Sequence, residues 1–260
     1  MKACRAITRA VAASLPDCAL TFVEREPIDV ANAGLQHAAY VEALRRAGAI
    51  VEVVPADDAL PDSAFVEDTA VVFDEAAVLA RPASPVRQRE LPAIAPALAA
   101  HRPLRRIEFP ATLEGGDVLE LGPQFFVGVS SRTNSEGFSQ FAAIVREFGY
   151  RATPVEVHGC LHLKTAVTAL DSETLLVNPA WIDAAALPAV RHLVVRPEEP
   201  FAANALVVNG VVHLSARWKR TQDLVERSGF RVVGLDLSEF EKAEAGPTCL
   251  SLIFSTEAGG

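Results

Sequence analysis

The chain carries an internal period. Asp68, Glu114, His162, Asn204 and Cys249 each stand where a polar loop runs into a hairpin, roughly every 45 residues. The same order recurs around each junction: helix, strand, polar loop, hairpin. The first unit reads as a helix over 32–47, with Leu35, Tyr40, Val41 and Leu44 on or near one face, and Gly48 ends it where a left-handed residue is favoured. A strand over 50–54 stops at Pro55. Later units repeat the pattern: an interrupted helix over 87–100, broken at Pro92 and Pro96, then helices over 134–148, 180–186 and 217–228. Asn209-Gly210, between two β-branched runs, is the strongest hairpin signal.

The count reaches five only if the opening strand, 5–9, joins the closing strand, 250–254, in one unit. A ring closed by its own two ends is a propeller, which leaves few sheet edges exposed. A stacked solenoid would show capping repeats at both ends, and this sequence shows none. The expected fold is therefore α/β, a five-bladed propeller forming one domain over 1–260. Ring closure would bring the five junction residues to one end of a central channel.

Composition narrows the function. Half of the 260 residues are hydrophobic and 22% are charged, enough for packed blades. The net charge of -9 opposes a nucleic-acid binder and leaves a cationic small molecule open. Four cysteines without a C-x-x-C pair point to a reduced, cytoplasmic chain. No signal-peptide pattern and no apolar run of about 18 residues is present, so no membrane span is expected.

Cys249 follows Gly246-Pro247-Thr248 and opens an apolar run. An isolated cysteine is most simply a small core residue. A thiol, an imidazole and carboxylates gathered on one axis point instead to a nucleophile with an acid–base partner. His158-x-Cys160-x-His162 could be read as metal ligands on a strand, but no fourth ligand is evident.

Five segments together resemble the dimethylarginine dimethylaminohydrolases of the guanidino-modifying superfamily. They are Pro61 to Asp68, Leu113-Glu114-Gly115-Gly116-Asp117, Ser131-Arg132-Thr133-Asn134, His162-Leu163-Lys164-Thr165, and Gly246 with Cys249. The resemblance implies a propeller of ββαβ modules with pseudo-fivefold symmetry. It implies hydrolysis of a methylated arginine to citrulline and the methylamine, with no cofactor and no metal. Cys249 would attack the guanidinium carbon, His162 would protonate the leaving amine and activate water, and Glu114 would orient His162. Asp68 and Glu67 would grip the guanidinium. Asp62 would lie near the substrate's amino-acid end, and the backbone carbonyls of Leu20 and Ala243 would meet its amino group. Arg132 and Arg87 would recognise its carboxylate, with Arg89 as a rival for Arg87. A loop over 15–21 would cover the site. Glu67 would need a loop conformation, since neighbours on a strand face opposite ways.

Arginine deiminases of the superfamily typically carry an aspartate two residues after the histidine, where this chain has Lys164. That departure favours a methylated guanidinium over free arginine. The expected partner is a small cationic amino acid, with no nucleic acid and no membrane, and with pairing into a homodimer left open. The rival readings are another guanidino-modifying enzyme, an arginine deiminase or amidinotransferase, and a silent binding protein for cationic amino acids; intact Cys249, His162 and Glu114 oppose the latter.

Overall fold

A computed structural model describes residues 2–257. The chain opens with β1 (Lys2–Arg9), α1 (Val30–Arg46) and β2 (Ile50–Val54). Next come β3 (Ala70–Val72), β4 (Ala77–Leu79), α2 (Pro85–Gln88), α3 (Leu91–Ala99) and β5 (Leu104–Arg106). Then follow β6 (Val118–Leu121), β7 (Gln124–Val129), α4 (Ser135–Arg146) and β8 (Arg151–Glu156). The short helix α5 (Leu163–Ala166) leads into β9 (Val167–Asp171), β10 (Thr174–Val177) and β11 (Arg191–Val194). The last stretch holds β12 (Leu206–Val208), β13 (Val211–Ser215), α6 (Lys219–Arg227), β14 (Arg231–Leu235), α7 (Ser238–Glu241) and β15 (Leu252–Glu257).

These strands form five three-stranded sheets. In each, an antiparallel pair supplies two strands, and a third lies parallel to the middle one. This is the expected propeller of ββαβ blades. The fifth blade joins the two ends of the chain: β15 runs antiparallel to β1, with Ile7 opposite Leu252 and Cys4 opposite Ser255. The middle strands β4, β10 and β13 are buried on both faces. That burial explains their unbroken apolar or nearly apolar runs: each blade is sandwiched between two others.

The core is accordingly divided. Five apolar clusters lie between successive blades. One joins Phe73 and Val78 to Phe125 and Phe141, another Leu119 and Phe126 to Val167 and Leu175. A third joins Leu176 to Val212 and Leu214, a fourth Leu206 and Val208 to Tyr40 and Leu44, a fifth Ile7 and Phe254 to Leu79 and Ile94. The apolar contacts thus sit between blades, leaving the axis to polar groups.

Some elements differ from expectation. Helix α1 begins two residues early, because the Asp29 side chain accepts the Asn32 N–H at 3.1 Å and caps its first turn. The interrupted helix over 87–100 splits into α2 and α3, with Pro85 and Pro92 in their opening positions. No α-helix forms over 180–186. A single 3-10 turn, Ala184–Ala186, lies there instead. Pro179 and Pro188 bracket a stretch too short for cooperative helix formation.

The blades are tied around the axis by a closed circuit of hydrogen bonds. Cys249 O accepts from Glu67 N at 3.2 Å, and Asp68 Oδ1 accepts from Gly116 N at 3.1 Å. Asp117 Oδ1 accepts from Leu163 N at 2.9 Å, and Lys164 O accepts from Asn204 Nδ2 at 3.2 Å. Asn204 Oδ1 then accepts from Thr248 N at 3.1 Å, next to Cys249. All five expected junctions take part.

Candidate active site

The junctions hold their side chains on short, rigid turns. Asp68 sits on a 3-10 turn, Val66–Thr69. Glu114 precedes another, Gly115–Asp117, and His162 is the N-cap residue of α5. The two glycines after Glu114 are required by space. A Cβ on Gly115 would stand 2.0 Å from Glu67 O, and one on Gly116 would stand 2.6 Å from His162 Nδ1 and 2.8 Å from Asp68 Oδ1. Gly246 has the same reason: its Cβ would lie 2.5 Å from Asn204 Oδ1.

Cys249, His162, Glu114, Asp68, Asp62 and Arg132 line one cavity of about 20 Å³, together with Arg87 and Ala243. His162 Nε2 lies 2.7 Å from Glu114 Oε2 and 3.7 Å from Asp68 Oδ1. Burial pulls the imidazole down, but Asp68, Glu114 and Asp117 outweigh it and raise His162 to about 9. At neutral pH it is an imidazolium. Burial pushes the Cys249 thiol up to about 12, and the Glu67 and Asp68 carboxylates push the same way. The thiol is therefore protonated at neutral pH. Asp68 is held well below the usual carboxylate range: burial opposes this, and His162 and Arg87 prevail.

The nucleophile loop is pinned from both sides. Tyr40 Oη donates to Pro247 O at 2.9 Å and lies 2.6 Å from Ser251 Oγ. Thr248 Oγ1 donates to Glu67 Oε2 at 2.7 Å. Pro247 and Thr248 thus stiffen the approach to Cys249.

Glu67, Lys164 and Leu20 are not among the residues that line this cavity. Glu67 lies on the same turn as Asp68, but its carboxylate binds Lys164 Nζ at 2.6 Å and Thr248 Oγ1, and both acidic and basic partner line a neighbouring cavity. Consecutive residues of a 3-10 turn point about a third of a revolution apart, so Asp68 lines the Cys249 cavity while Glu67 reaches Lys164 and Thr248, and both carboxylates still act on the thiol. Lys164 lies in the helical turn α5 that follows His162 and pairs with Glu67. Leu20 is only partly buried and packs on the cluster around Tyr40, while Ala19 before it lines the cavity.

Arg87, not Arg89, points inward: Arg87 is buried and Arg89 is exposed. Its guanidinium is already engaged. It donates to Asp68 Oδ2 at 2.6 Å, to both Glu90 carboxylate oxygens at 3.2 and 3.1 Å, and to Phe65 O at 2.9 Å. Arg132 is freer, donating to Thr21 Oγ1 at 3.0 Å with Nη1 3.9 Å from Glu114 Oε1. Sequence reasoning passed over Glu90. Burial lifts it to about 7 against the pull of Arg87. Its spacing of three residues from Arg87 on a helical turn was the available signal.

His158-x-Cys160-x-His162 is a loop rather than a strand. His158 is exposed beside Glu156, and Cys160 is buried with its thiol 3.4 Å from His162 O. Among the described residues, Asp68, Glu114 and His162 are the one group whose ligand atoms lie within 4.8 Å of one another. Arg87 Nη1, 2.6 Å from Asp68 and 3.9 Å from Glu114, already supplies a cation there, so the set fits a metal poorly.

A dimethylarginine dimethylaminohydrolase of Pseudomonas aeruginosa is 35% identical over 95% of this chain and 98% of its own length. The chain belongs to the dimethylarginine dimethylaminohydrolase family. A second member, from Streptomyces coelicolor, is 39% identical over 95% of this chain and 96% of its own. The arginine deiminase family model matches residues 52–203. The solved Pseudomonas aeruginosa dimethylarginine dimethylaminohydrolase, in complex with citrulline, superposes with a TM-score of 0.92 at 34% identity, covering 98% of this chain and all of that one.

Proposed function

We propose that this protein hydrolyses Nω-methylated arginine to citrulline and dimethylamine or methylamine. The observation that carries the reading is the cavity holding Cys249 beside an imidazolium His162, its Glu114 partner and the Asp68 carboxylate. Relatives that span the whole chain carry the same activity in their names.

The resting site favours a cationic substrate. Cys249 is a thiol, and His162 already holds its proton, so His162 is not the base that makes the thiolate. A guanidinium entering beside Asp68 offsets the carboxylates that hold the thiol up, and the thiol proton leaves to solvent. The thiolate then bonds to the guanidinium carbon. The C–N bond to the methylated nitrogen breaks as His162 gives that nitrogen its proton, leaving an S-linked thiouronium. Water adds to the same carbon and passes a proton to His162. The C–S bond breaks, and citrulline departs. Positioned proton transfer of this kind contributes about 10² to 10⁴ in rate.

Asp68 supports the guanidinium grip through charge-assisted hydrogen bonds. Arg132 suits the substrate carboxylate, since its planar fork carries donors not spent on the protein. Arg87 instead orients Asp68. Asp62 and Ala243 line the cavity, which supports a role for both at the amino-acid end of the substrate. Glu67 acts on the thiol through its charge and anchors Thr248. One carboxylate at the guanidinium, rather than two, suits a nitrogen whose methyl groups leave no N–H to bind. Lys164, paired to Glu67, supplies no second one.

The reading carries a cytoplasmic enzyme without a cofactor, with homodimerisation open. No helix among the described residues is long and apolar enough to cross a membrane. Citrulline release from asymmetric dimethylarginine, compared with arginine, tests the substrate. Several-fold preference for the methylated compound is expected, and a clear preference for arginine would overturn the assignment in favour of a deiminase.

A further inference from the structure

Glu244 ends the helical turn of α7, with its N–H on Glu241 O at 3.1 Å and the next N–H on Phe240 O at 3.0 Å. It adopts φ 60, a left-handed conformation disfavoured for L-residues. The other non-glycine with positive φ among the described residues is Asn209, in a tight turn where asparagine is well suited. A glycine would end α7 without this conformational penalty. What the glutamate adds is its carboxylate.

That carboxylate gathers three successive backbone amides. Thr21 N donates to Oε1 at 3.0 Å and Oε2 at 2.9 Å, Val23 N donates to Oε1 at 2.6 Å, and Phe22 N also donates to Oε1. Consecutive amides aimed at one anion form a nest, and a charged acceptor makes each bond stronger.

The segment so held lies at the edge of the site. Ala19 lines the Cys249 cavity, and its N–H donates to Asp62 Oδ1 at 3.2 Å. Thr21 Oγ1 accepts from Arg132 Nη2 at 3.0 Å. The cavity's 20 Å³ has room for about one water, so an amino acid must displace something to enter. The covering segment starts later than the sequence suggested. Leu15 and Cys18 are fully buried, and Arg25 Nη2 fixes Cys18 O at 2.6 Å. Within 19–23, Ala19 borders the Cys249 cavity and Val23 borders the larger cavity beyond Glu244. On the far side of Glu244 lies a cavity of about 650 Å³ bordered by Glu24, Glu26, Glu198 and Asp236, a suitable approach for a cation.

The segment has three ties to the ring: Asp62, Arg132 and Glu244. On the reading above, on which this inference rests, the first two are wanted by the substrate's amino and carboxylate groups. The Glu244 tie is not. We propose that Glu244 is a positioning residue for the reaction: it holds segment 19–23 closed over Cys249 once Asp62 and Arg132 have turned to the substrate. Release of its three amides opens the way in.

The test uses the full chain with Glu244→Ala and Glu244→Asp. Hydrogen exchange of the peptide spanning 19–25 is followed by mass spectrometry, with and without citrulline. Losing a charged acceptor from three amides should speed exchange there about tenfold or more in Glu244→Ala. Citrulline should not restore protection in that variant, and Glu244→Asp should fall between. For dimethylarginine, KM should rise more than kcat falls. Alkylation of Cys249 by chloroacetamidine, which lacks the amino-acid end, should be at least as fast as in wild type, because a loosened cover eases entry to the cavity that Glu244 also lines, while the Glu67 and Asp68 carboxylates that hold the thiol up are unchanged. Unchanged exchange in Glu244→Ala would overturn the proposal. So would a parallel loss of chloroacetamidine reactivity, which would mean that Glu244 acts on the thiol itself. The exchange result stands whichever substrate the enzyme prefers, so it separates this inference from the substrate assignment.

Discussion

Glu114 Oε2 lies 2.7 Å from His162 Nε2, and both groups are shut away from solvent. The pair keeps a proton on His162 at a pH where a free imidazole would be giving it up. Replacing Glu114 by glutamine keeps the shape and removes the charge. His162 should then lose its proton at lower pH, so the alkaline limb of the kcat/KM profile for dimethylarginine should move down in pH. Turnover should fall by about 10² to 10⁴. An alkaline limb that stays in place would show that this carboxylate does not set the proton's affinity.

Cys249 should be a poor nucleophile toward neutral reagents. Its thiol is pushed up to about 12, whereas an ordinary thiol sits near 8.5. At pH 7.4 chloroacetamide should alkylate it more slowly than it alkylates a free small thiol. Chloroacetamidine brings a positive charge to Asp68 and should reverse that order once normalised to the same free thiol. Peptide mass spectrometry resolves Cys249 from Cys4, Cys18 and Cys160. Equal normalised rates for the two reagents would sink the idea that the substrate's own charge frees the thiolate.

Gly116 should tolerate no side chain. A methyl group there would meet His162 Nδ1 at 2.6 Å and Asp68 Oδ1 at 2.8 Å. Gly116→Ala should fold, since the side chains can give way, yet lose most of its citrulline-forming activity. Gly122→Ala is a contrasting case, for nothing stands within 4 Å of its Cβ position, although its φ of 58 costs some stability. It should keep its kcat. Wild-type turnover in Gly116→Ala would contradict the packing described.

Arg87 should matter to stability as much as to catalysis. Its removal leaves Asp68 and Glu90 buried without their cation. Breaking a buried pair from one side costs about 3 to 5 kcal/mol. Urea unfolding of Arg87→Ala should show a loss of that order, while Arg89→Ala, on the exposed side of the same turn, should unfold as wild type does.

The fold was legible because its signals are local. Glycines at 48, 149 and 229, the Asn209-Gly210 turn and the spacing of Phe138, Phe141 and Val145 each act within a few residues. Their repetition then implied the ring. The candidate site was legible where one residue marks one turn, as at Cys249, His162 and Glu114. It was less legible where direction decides. Glu67 and Asp68 are neighbours in sequence, yet a 3-10 turn sends one toward Lys164 and the other toward Arg87. The helix over 180–186 failed for a related reason: alanines favour a helix, but the two flanking prolines allow too little length. The engagement of Arg87 by Glu90 and the hold of Glu244 on Thr21 depend on loops meeting in space, which spacing alone does not report.

The seam between β1 and β15 joins the most distant parts of the chain, and contacts of such separation are slow to form. Cys249 stands three residues before that last strand. Seating the nucleophile and zipping the ring shut are therefore a single event. A molecule whose seam has parted keeps four sound blades, yet its cysteine loses Glu67 N from its carbonyl and its place beside His162. What remains is a plain thiol with no seat for a guanidinium. Activity in this architecture reports on whether the whole circle is intact.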